Sequence, residues 1–267
     1  MSFLLESRRI ESKSTSPIVG FERSKPSGWS ERFLTVDGER RFLTGYSCDT
    51  CFFVFKRLPE GVSHSPLDIS QMLRTGIRNL DEAPIETILQ SLPAGRYEGL
   101  LLSTTPIQVD LGGDLDYFSH EQPHDWDPPY DDETGLPYYP AIDYYITESR
   151  TFLGREDRVF EFIVPLYPTR FTNRGRVDEW RDVLSRESST AVAISVIDLK
   201  TPTVYTDPPR ARHVCITHYL LDGHHRMLAA AELQRPLQLL SFLYFDQSFL
   251  REEYIKQALA ALPKVTS

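Results

Sequence analysis

The stretch YLLDGHHRMLAAAEL, Tyr219–Leu233, carries an apolar run into a helical pattern through five residues: Asp222, Gly223, His224, His225 and Arg226. A strand reading ends near Leu221. Asp222 is placed to cap a helix by accepting backbone N–H bonds, and Gly223 permits a sharp turn or a close approach to a ligand. His224, His225 and Arg226 then fill the first helical turn. Cations at the positive end of a helix dipole cost up to ~1 kcal/mol, so the pattern calls for an anion. A phosphate on the first-turn amides, clamped by Arg226, meets that demand. Two other readings stand beside it: a polar turn in which Asp222 alone neutralises Arg226, and a metal site.

Outward from this stretch the C-terminal half alternates strand and helix. RVFEFIVPLY (158–167), TAVAISVIDL (190–199), VCITHYLLD (214–222) and LQLLSFLYF (237–245) read as strands. The unbroken apolar run of 190–199 predicts a strand buried on both faces. VDEWRDVLSR (177–186), HRMLAAAELQ (225–234) and REEYIKQALAAL (251–262) read as helices. The alternation predicts an α/β fold whose mixed sheet includes parallel pairs.

The N-terminal half is less regular. Residues 1–36 are rich in Ser, Arg, Glu and Pro without a sustained period and read as an irregular arm. Residues 37–150 read as an α+β region. It holds a hairpin (Arg41–Thr44 and Phe52–Phe55) around a C-x-x-C turn, helices at 65–77 and 83–92, and strands at 97–104, 106–111 and 141–149. Between them 116–140 is acidic, aromatic and broken by five prolines, so it reads as a functional or irregular loop. A soft boundary near Arg150 sets off 151–267 as the region that carries the D-G-H-H-R stretch.

Composition narrows the function. The 267 residues are 40% hydrophobic and 25% charged, ordinary for a soluble domain with a real core. A formal net charge of -9 argues against broad adhesion to nucleic acid or anionic membrane, both of which need a basic face. RSKPSGWSERF (23–33) and PRARHV (209–214) are local basic patches that read as solvated loops. No window reaches the ~20 apolar residues of a membrane span, and the N-terminus lacks a signal-peptide core. Three cysteines make no disulfide framework, which implies a bacterial-type cytoplasm with reduced thiols.

D-G-H-H-R followed by an alanine-rich helix and a second apolar strand resembles the core of the ParB/sulfiredoxin-like superfamily, over Arg158 to about Phe245. The resemblance implies a strand-to-helix loop that binds nucleotide phosphates (ATP, ADP or CTP, with Mg2+). Partition proteins of that group carry G-E-R-R and sulfiredoxins G-C-H-R. Its free-serine kinases and uncharacterised bacterial members carry D-G-H-x-R, matched here at Asp222, Gly223, His224 and Arg226. His224 stands where sulfiredoxins have their nucleophilic cysteine, so sulfinic-acid reduction is not supported. No helix-turn-helix or basic surface follows the motif, so DNA partition is not supported either.

What this implies is an ATP- or ADP-dependent phosphotransferase or NTP hydrolase acting on a small-molecule acceptor. Two alternatives are a non-catalytic nucleotide-responsive regulator and a ParB-like nuclease. In the enzymatic reading Gly223, His224, His225 and Arg226 hold phosphates. His224 or His225 donates a hydrogen bond or shuttles a proton, and Asp222 orients a histidine or holds magnesium. Glu161 and Asp198 are candidate carboxylate bases.

The remaining candidate is a zinc site. Cys48 and Cys51 have the spacing of half a zinc site or of a redox pair, and Cys215 lies in H-V-C-I-T-H. Strand alternation puts His213 and Cys215 on one face and His218 on the other. If the hairpin packs beside this strand, Cys48, Cys51, Cys215 and a histidine meet around Zn2+; otherwise the thiols are structural. His120 and His124 are four apart among carboxylates, but Pro123 argues against a helix there. Tyr138, Tyr139, Tyr144 and Tyr145 read as packing at the loop base, with base stacking as the alternative.

Overall fold

The computed structural model describes residues 2–26, 28–59, 64–67, 69, 71–82, 84–126, 135, 138–147, 150–152, 157–202 and 211–263. The expected α/β architecture is found. Among these residues the strands are β1 (Ser2–Ser12), β2 (Val19–Arg23), β3 (Glu31–Val36), β4 (Glu39–Tyr46), β5 (Lys56–Arg57), β6 (Gly95–Thr104) and β7 (Ile107–Gln108). They continue as β8 (Tyr145–Ile146), β9 (Arg150–Phe152), β10 (Asp157–Pro165), β11 (Thr190–Lys200), β12 (Arg212–Asp222) and β13 (Leu237–Tyr244). The helices are α1 (Ile85–Leu89), α2 (Glu121–Asp125), α3 (Arg174–Leu184), α4 (His224–Leu233) and α5 (Glu252–Ala260). None of them is long and apolar enough to cross a membrane.

Nine strands form one mixed sheet in the order β1-β6-β13-β11-β12-β10-β8-β7, with β9 also paired to β10. β10 runs parallel to β12, and β11 parallel to β13; β11 and β12 between them are antiparallel. Strands β2 to β5 make a second, antiparallel sheet. β11 and β12 occupy the centre because their sequences are apolar at both parities, which only a strand covered on both faces tolerates.

Alternation then sorts the core. Val192, Ile194, Val196, Cys215, Tyr219 and Leu221 face the small sheet and the aromatic cluster of Phe53, Phe55, Phe118, Tyr144 and Phe162. Ala191, Ala193, Ile197, Ile216 and Leu220 face Val177 and Leu184 of α3, Met227 and Leu228 of α4, and Ile255 and Leu259 of α5. The result is three layers: small sheet with irregular chain, large sheet, helices.

Several local expectations change. Residues 1–36 are no irregular arm: they supply β1, β2 and β3. β1 escaped reading because it is an edge strand in which charges fall on both parities. Glu6 and Arg8 lie on the more buried parity and Arg9 and Glu11 on the exposed one, so its sequence shows no apolar alternation. Strands from both sides of Arg150 lie in the large sheet, so no structural division falls there. The 65–77 helix is absent among the described residues of that segment; turns there bury Leu67, Ile69, Leu73 and Ile77, while Met72 is exposed. The second hairpin arm pairs at Lys56–Arg57, just beyond the expected Phe52–Phe55, after Phe53 and Phe55 turn into the core. α2 forms despite Pro123, which sits in its first turn where no intrahelical N–H is needed. Residues 127–134 of the acidic loop and 203–210 beside the second basic patch lie outside the described residues.

One buried ion pair ties the sheets together. Arg32 of β3 donates to both oxygens of Asp198 of β11, at 2.9 and 2.8 Å, and both side chains are fully buried. Its other donors reach Thr44 Oγ1 (3.0 Å), Thr44 O (2.7 Å) and Gln247 O (2.6 Å), and Phe249 covers its face at 4.4 Å. Removing one partner of such a pair strands the other charge, at a cost of about 3–5 kcal/mol. Asp198→Ala is therefore expected to lower unfolding free energy by that amount in denaturant titration. Asp81→Ala, which breaks only the exposed Arg8 pair, is expected to change it by less than ~1 kcal/mol.

Candidate functional site

The parallel strands β10 and β12 end side by side, with Pro165 opposite Leu220. The chain leaves each toward a helix on the same face, so the N-termini of α3 and α4 come together beyond the strand ends. Between them lies a cleft of about 620 Å³. Its walls are His64, Ser65, Arg74, Tyr167, Phe171, Arg176, Glu179 and Trp180, and Asp222–Arg226 line it from the β12–α4 turn. In open α/β sheets, ligands bind outside the carboxyl ends of strands.

Gly223 makes the turn with φ at +95°, a left-handed conformation that favours glycine. A Cβ there would lie 2.7 Å from Ala191 Cβ, so the close approach expected at Gly223 is to β11. No side chain caps α4, and Asp222 does not act as the expected cap. The amides of His224 and His225 accordingly have no hydrogen-bond acceptor among the described residues.

Asp222 instead takes Arg226. The Arg226 Nη2 donates to Asp222 Oδ2 at 2.6 Å, one helical turn away. Nη1 donates to the carbonyls of Thr190 and Leu73 and to Ser189 Oγ, and Trp180 covers the guanidinium at 4.8 Å. Burial pushes the Arg226 pKa down and the Asp222 carboxylate opposes it. Arg226 is therefore a tether between β12, β11 and the Leu73 turn, and the expectation that it clamps a phosphate is corrected. Among the residues lining the cleft, Arg74 and Arg176 are exposed guanidinium side chains.

The two histidines are also committed. His224 Nε2 accepts the Leu166 N–H at 3.0 Å, so its own proton sits on Nδ1 and is donated to Ser65 Oγ at 3.1 Å. Tyr167 stacks on the ring at 4.1 Å. Burial, with His225 and Arg226 adding to it, pushes the His224 pKa down to about 3. His224 is a neutral post that turns the Ser65 hydroxyl proton toward Tyr167 and the cleft; the expected proton shuttle at His224 is corrected. His225 Nε2 accepts the Asn173 N–H at 3.0 Å, and burial, then Arg176, lowers its pKa. It holds the start of α3 against α4, and its Nδ1 is its remaining donor.

The expected bases lie elsewhere. Glu161 is four residues before the end of β10, ~13 Å below the cleft at ~3.3 Å per residue. It belongs to a buried polar row that the sequence did not reveal. Thr147 Oγ1 donates to Glu161 at 2.8 Å, Glu161 meets His218 Nε2 at 3.2 Å, and His218 Nδ1 meets Ser195 Oγ at 2.6 Å and Ser241 Oγ at 3.0 Å. Alternation of four neighbouring strands assembles the row, and its burial makes it a structural network. Asp198 is consumed by Arg32.

The zinc site is corrected too. Cys48 and Cys51 are joined as a disulfide with Cα atoms 5.3 Å apart, so the pair is not the reduced one expected. His213 and Cys215 do share a face, but both meet Tyr117, whose hydroxyl lies 2.9 Å from His213 Nδ1 and 4.0 Å from Cys215 Sγ. His213 Nε2 is 2.8 Å from Asp125. Among the described residues, no three His, Cys, Asp or Glu side chains are grouped to hold a metal ion. His124 Nδ1 lies 3.0 Å from Asp125 Oδ1. Tyr138, Tyr144 and Tyr145 pack inside, as the packing reading expects.

Compared with family models, curated proteins and solved structures, the chain matches none.

The buried neutral His224 has a pH consequence. Its unfolded value is near 6.5 and its folded value about 3, so between those limits the unfolded chain binds a proton that the folded chain refuses. Stability from this group is complete above pH ~6.5 and falls by up to about 1.4 kcal/mol per pH unit as pH drops through that window. His224→Gln is expected to flatten this part of the urea-measured stability profile between pH 7 and 4. An unchanged slope would mean that His224 charges freely in the folded protein.

Proposed function

We propose that the chain binds a nucleotide through its phosphates in the cleft at the α3–α4 start. The observation that carries this is the convergence, in one open cleft, of two uncapped first-turn amides at His224 and His225 with the exposed guanidinium groups of Arg74 and Arg176. Amides at a helix start and mobile cations around them form an anion site, and guanidinium grips phosphate oxygens in pairs. Ser65, turned by His224, adds a hydroxyl donor. Tyr167, Phe171 and Trp180 give the same cleft an aromatic wall on which a base can lie. The likeness of D-G-H-H-R to the ParB/sulfiredoxin-like group points the same way.

The chemistry in this reading is ATP- or ADP-dependent phosphoryl transfer or NTP hydrolysis, in which positioning and charge stabilisation do most of the work. Glu179, exposed in the cleft and without an ion-pair partner among the described residues, is the carboxylate placed to orient an attacking hydroxyl or water. Magnesium bound with the nucleotide would supply neutralisation of the phosphate charge. A non-catalytic nucleotide sensor is the second reading. It is favoured by the commitment of His224, Asp222 and Arg226 to internal partners, which leaves little machinery for proton transfer.

Thermal-shift titration with ATP, ADP and CTP, each with and without magnesium, is expected to show stabilisation of about 2.7 kcal/mol at a hundredfold excess over Kd. Arg176→Ala is expected to weaken nucleotide binding by roughly tenfold or more, read by calorimetry. Phosphate release lost in Glu179→Gln with binding retained supports the enzyme, and binding with no turnover supports the sensor. No stabilisation by any nucleotide refutes both.

A further inference from the structure

A second chemically distinctive feature lies outside the cleft, in the turn that follows β4. Cys48, Asp49, Thr50 and Cys51 form a small closed ring through the Cys48–Cys51 disulfide, and both cysteines are partly exposed. The backbone of this ring is used by two distant parts of the molecule, the end of β11 and Trp126. Lys200, at the end of β11, donates its ammonium to Cys48 O at 2.7 Å and Tyr46 O at 2.9 Å. Thr201 N–H donates to Asp49 O at 2.8 Å, and Trp126 Nε1 donates to Thr50 O at 3.0 Å. Trp126 in turn sets its ring edge-on to His213 at 5.0 Å.

The sulfurs are not equivalent. The Cys51 N–H lies 3.1 Å from Cys48 Sγ, and Thr50 Oγ1, the only one of the two with a proton to give, lies 3.3 Å from it. Both donors therefore converge on Cys48 Sγ, and the buried Lys200 ammonium binds the carbonyl of the same residue. Two donors on one sulfur, with a cation on the carbonyl of the same residue, favour the thiolate at Cys48 over Cys51. Cys215 differs: it is fully buried, and burial pushes its thiol pKa up, so it stays inert.

We propose that Cys48–Cys51 is a reversible thiol–disulfide exchange site, in which Cys48 is the sulfur that leaves and returns as thiolate. The co-reactant is a dithiol. Its thiolate attacks Cys51 Sγ, the Cys48–Cys51 bond breaks, and Cys48 departs as a thiolate held by Thr50 and the Cys51 amide. The second thiol of the co-reactant then resolves the mixed disulfide. Cys51 is released and takes a proton, the dithiol becomes a disulfide, and the remaining proton goes to solvent. Two electrons pass to the protein. The loosened ring changes what Thr50 O and Cys48 O offer to Trp126 and Lys200, so the state of the pair reaches His213 on β12.

The test uses the full chain. The protein is equilibrated in mixtures of reduced and oxidised dithiothreitol, trapped with iodoacetamide at pH 7 and mapped by peptide mass. The expected result is one reversible two-electron transition in the folded state. After reduction, Cys48 is alkylated about tenfold or more faster than Cys51, and Cys215 is not alkylated until unfolding. Thr50→Val and Lys200→Met are each expected to shrink that ratio. Should Lys200→Met fail to fold, the surface change Thr50→Val carries the comparison. Trp126→Phe is expected to remove the fluorescence change that accompanies reduction. A disulfide that excess dithiothreitol leaves intact in the folded protein overturns the proposal, as does a Cys48 no faster than Cys51.

Discussion

A guanidinium held against its own carboxylate organises the cleft. Arg226 and Asp222 are one helical turn apart, and their pairing fixes the first turn of α4 on the last residue of β12. The same guanidinium reaches Thr190 at the start of β11 and Leu73 in the turn region. Four parts of the chain are therefore referenced to one side chain. A buried pair of this kind adds little to stability against a hydrophobic substitute, but it tolerates no partner loss and so enforces one arrangement. That arrangement sets the start of α4 at the cleft, where Arg74 and Arg176 are the exposed guanidinium side chains.

This division of labour explains why residues that look catalytic in a row act as framework. His224 carries a proton on one nitrogen and an accepted amide on the other, and His225 pins Asn173. Each polar atom buried near the strand ends must find a partner, since leaving one unmet costs about 1–3 kcal/mol. The framework thereby consumes the most reactive side chains of D-G-H-H-R. Among the described residues, the exposed charged side chains of the cleft, Arg74, Arg176 and Glu179, come from α3 and from the turn segment around Leu73.

Much of the large sheet was legible in the sequence because its strands declare themselves by composition. β11, β12 and β13 are apolar at both parities, and the turn at Gly223 follows from the residue itself. The opposite facing of Cys215 and His218 follows from simple alternation, and the structure agrees. What could not be read is pairing across the chain. Arg226 finds Thr190 and Leu73 at separations of 36 and 153 residues, and Arg32 finds Asp198 at 166. The row from Thr147 to Ser241 needs the strand order before any of its members look related. β1 and β2 were hidden for another reason: strands with one wet face or an open edge carry the polar composition of loops.

The strand order has a consequence for how the molecule is made. β13 sits between β11 and β6, and β6 is the neighbour of β1. During synthesis β1 can pair with β6 once both have emerged, but that two-stranded ribbon has no seat until residues 237–244 arrive. Until then its apolar side, with Leu100 and Leu102, has no sheet to join. Pairings of such sequence separation are slow to form, and exposed ribbons associate with one another. Truncation between β12 and β13 would thus release a chain with an open seam between β6 and β11.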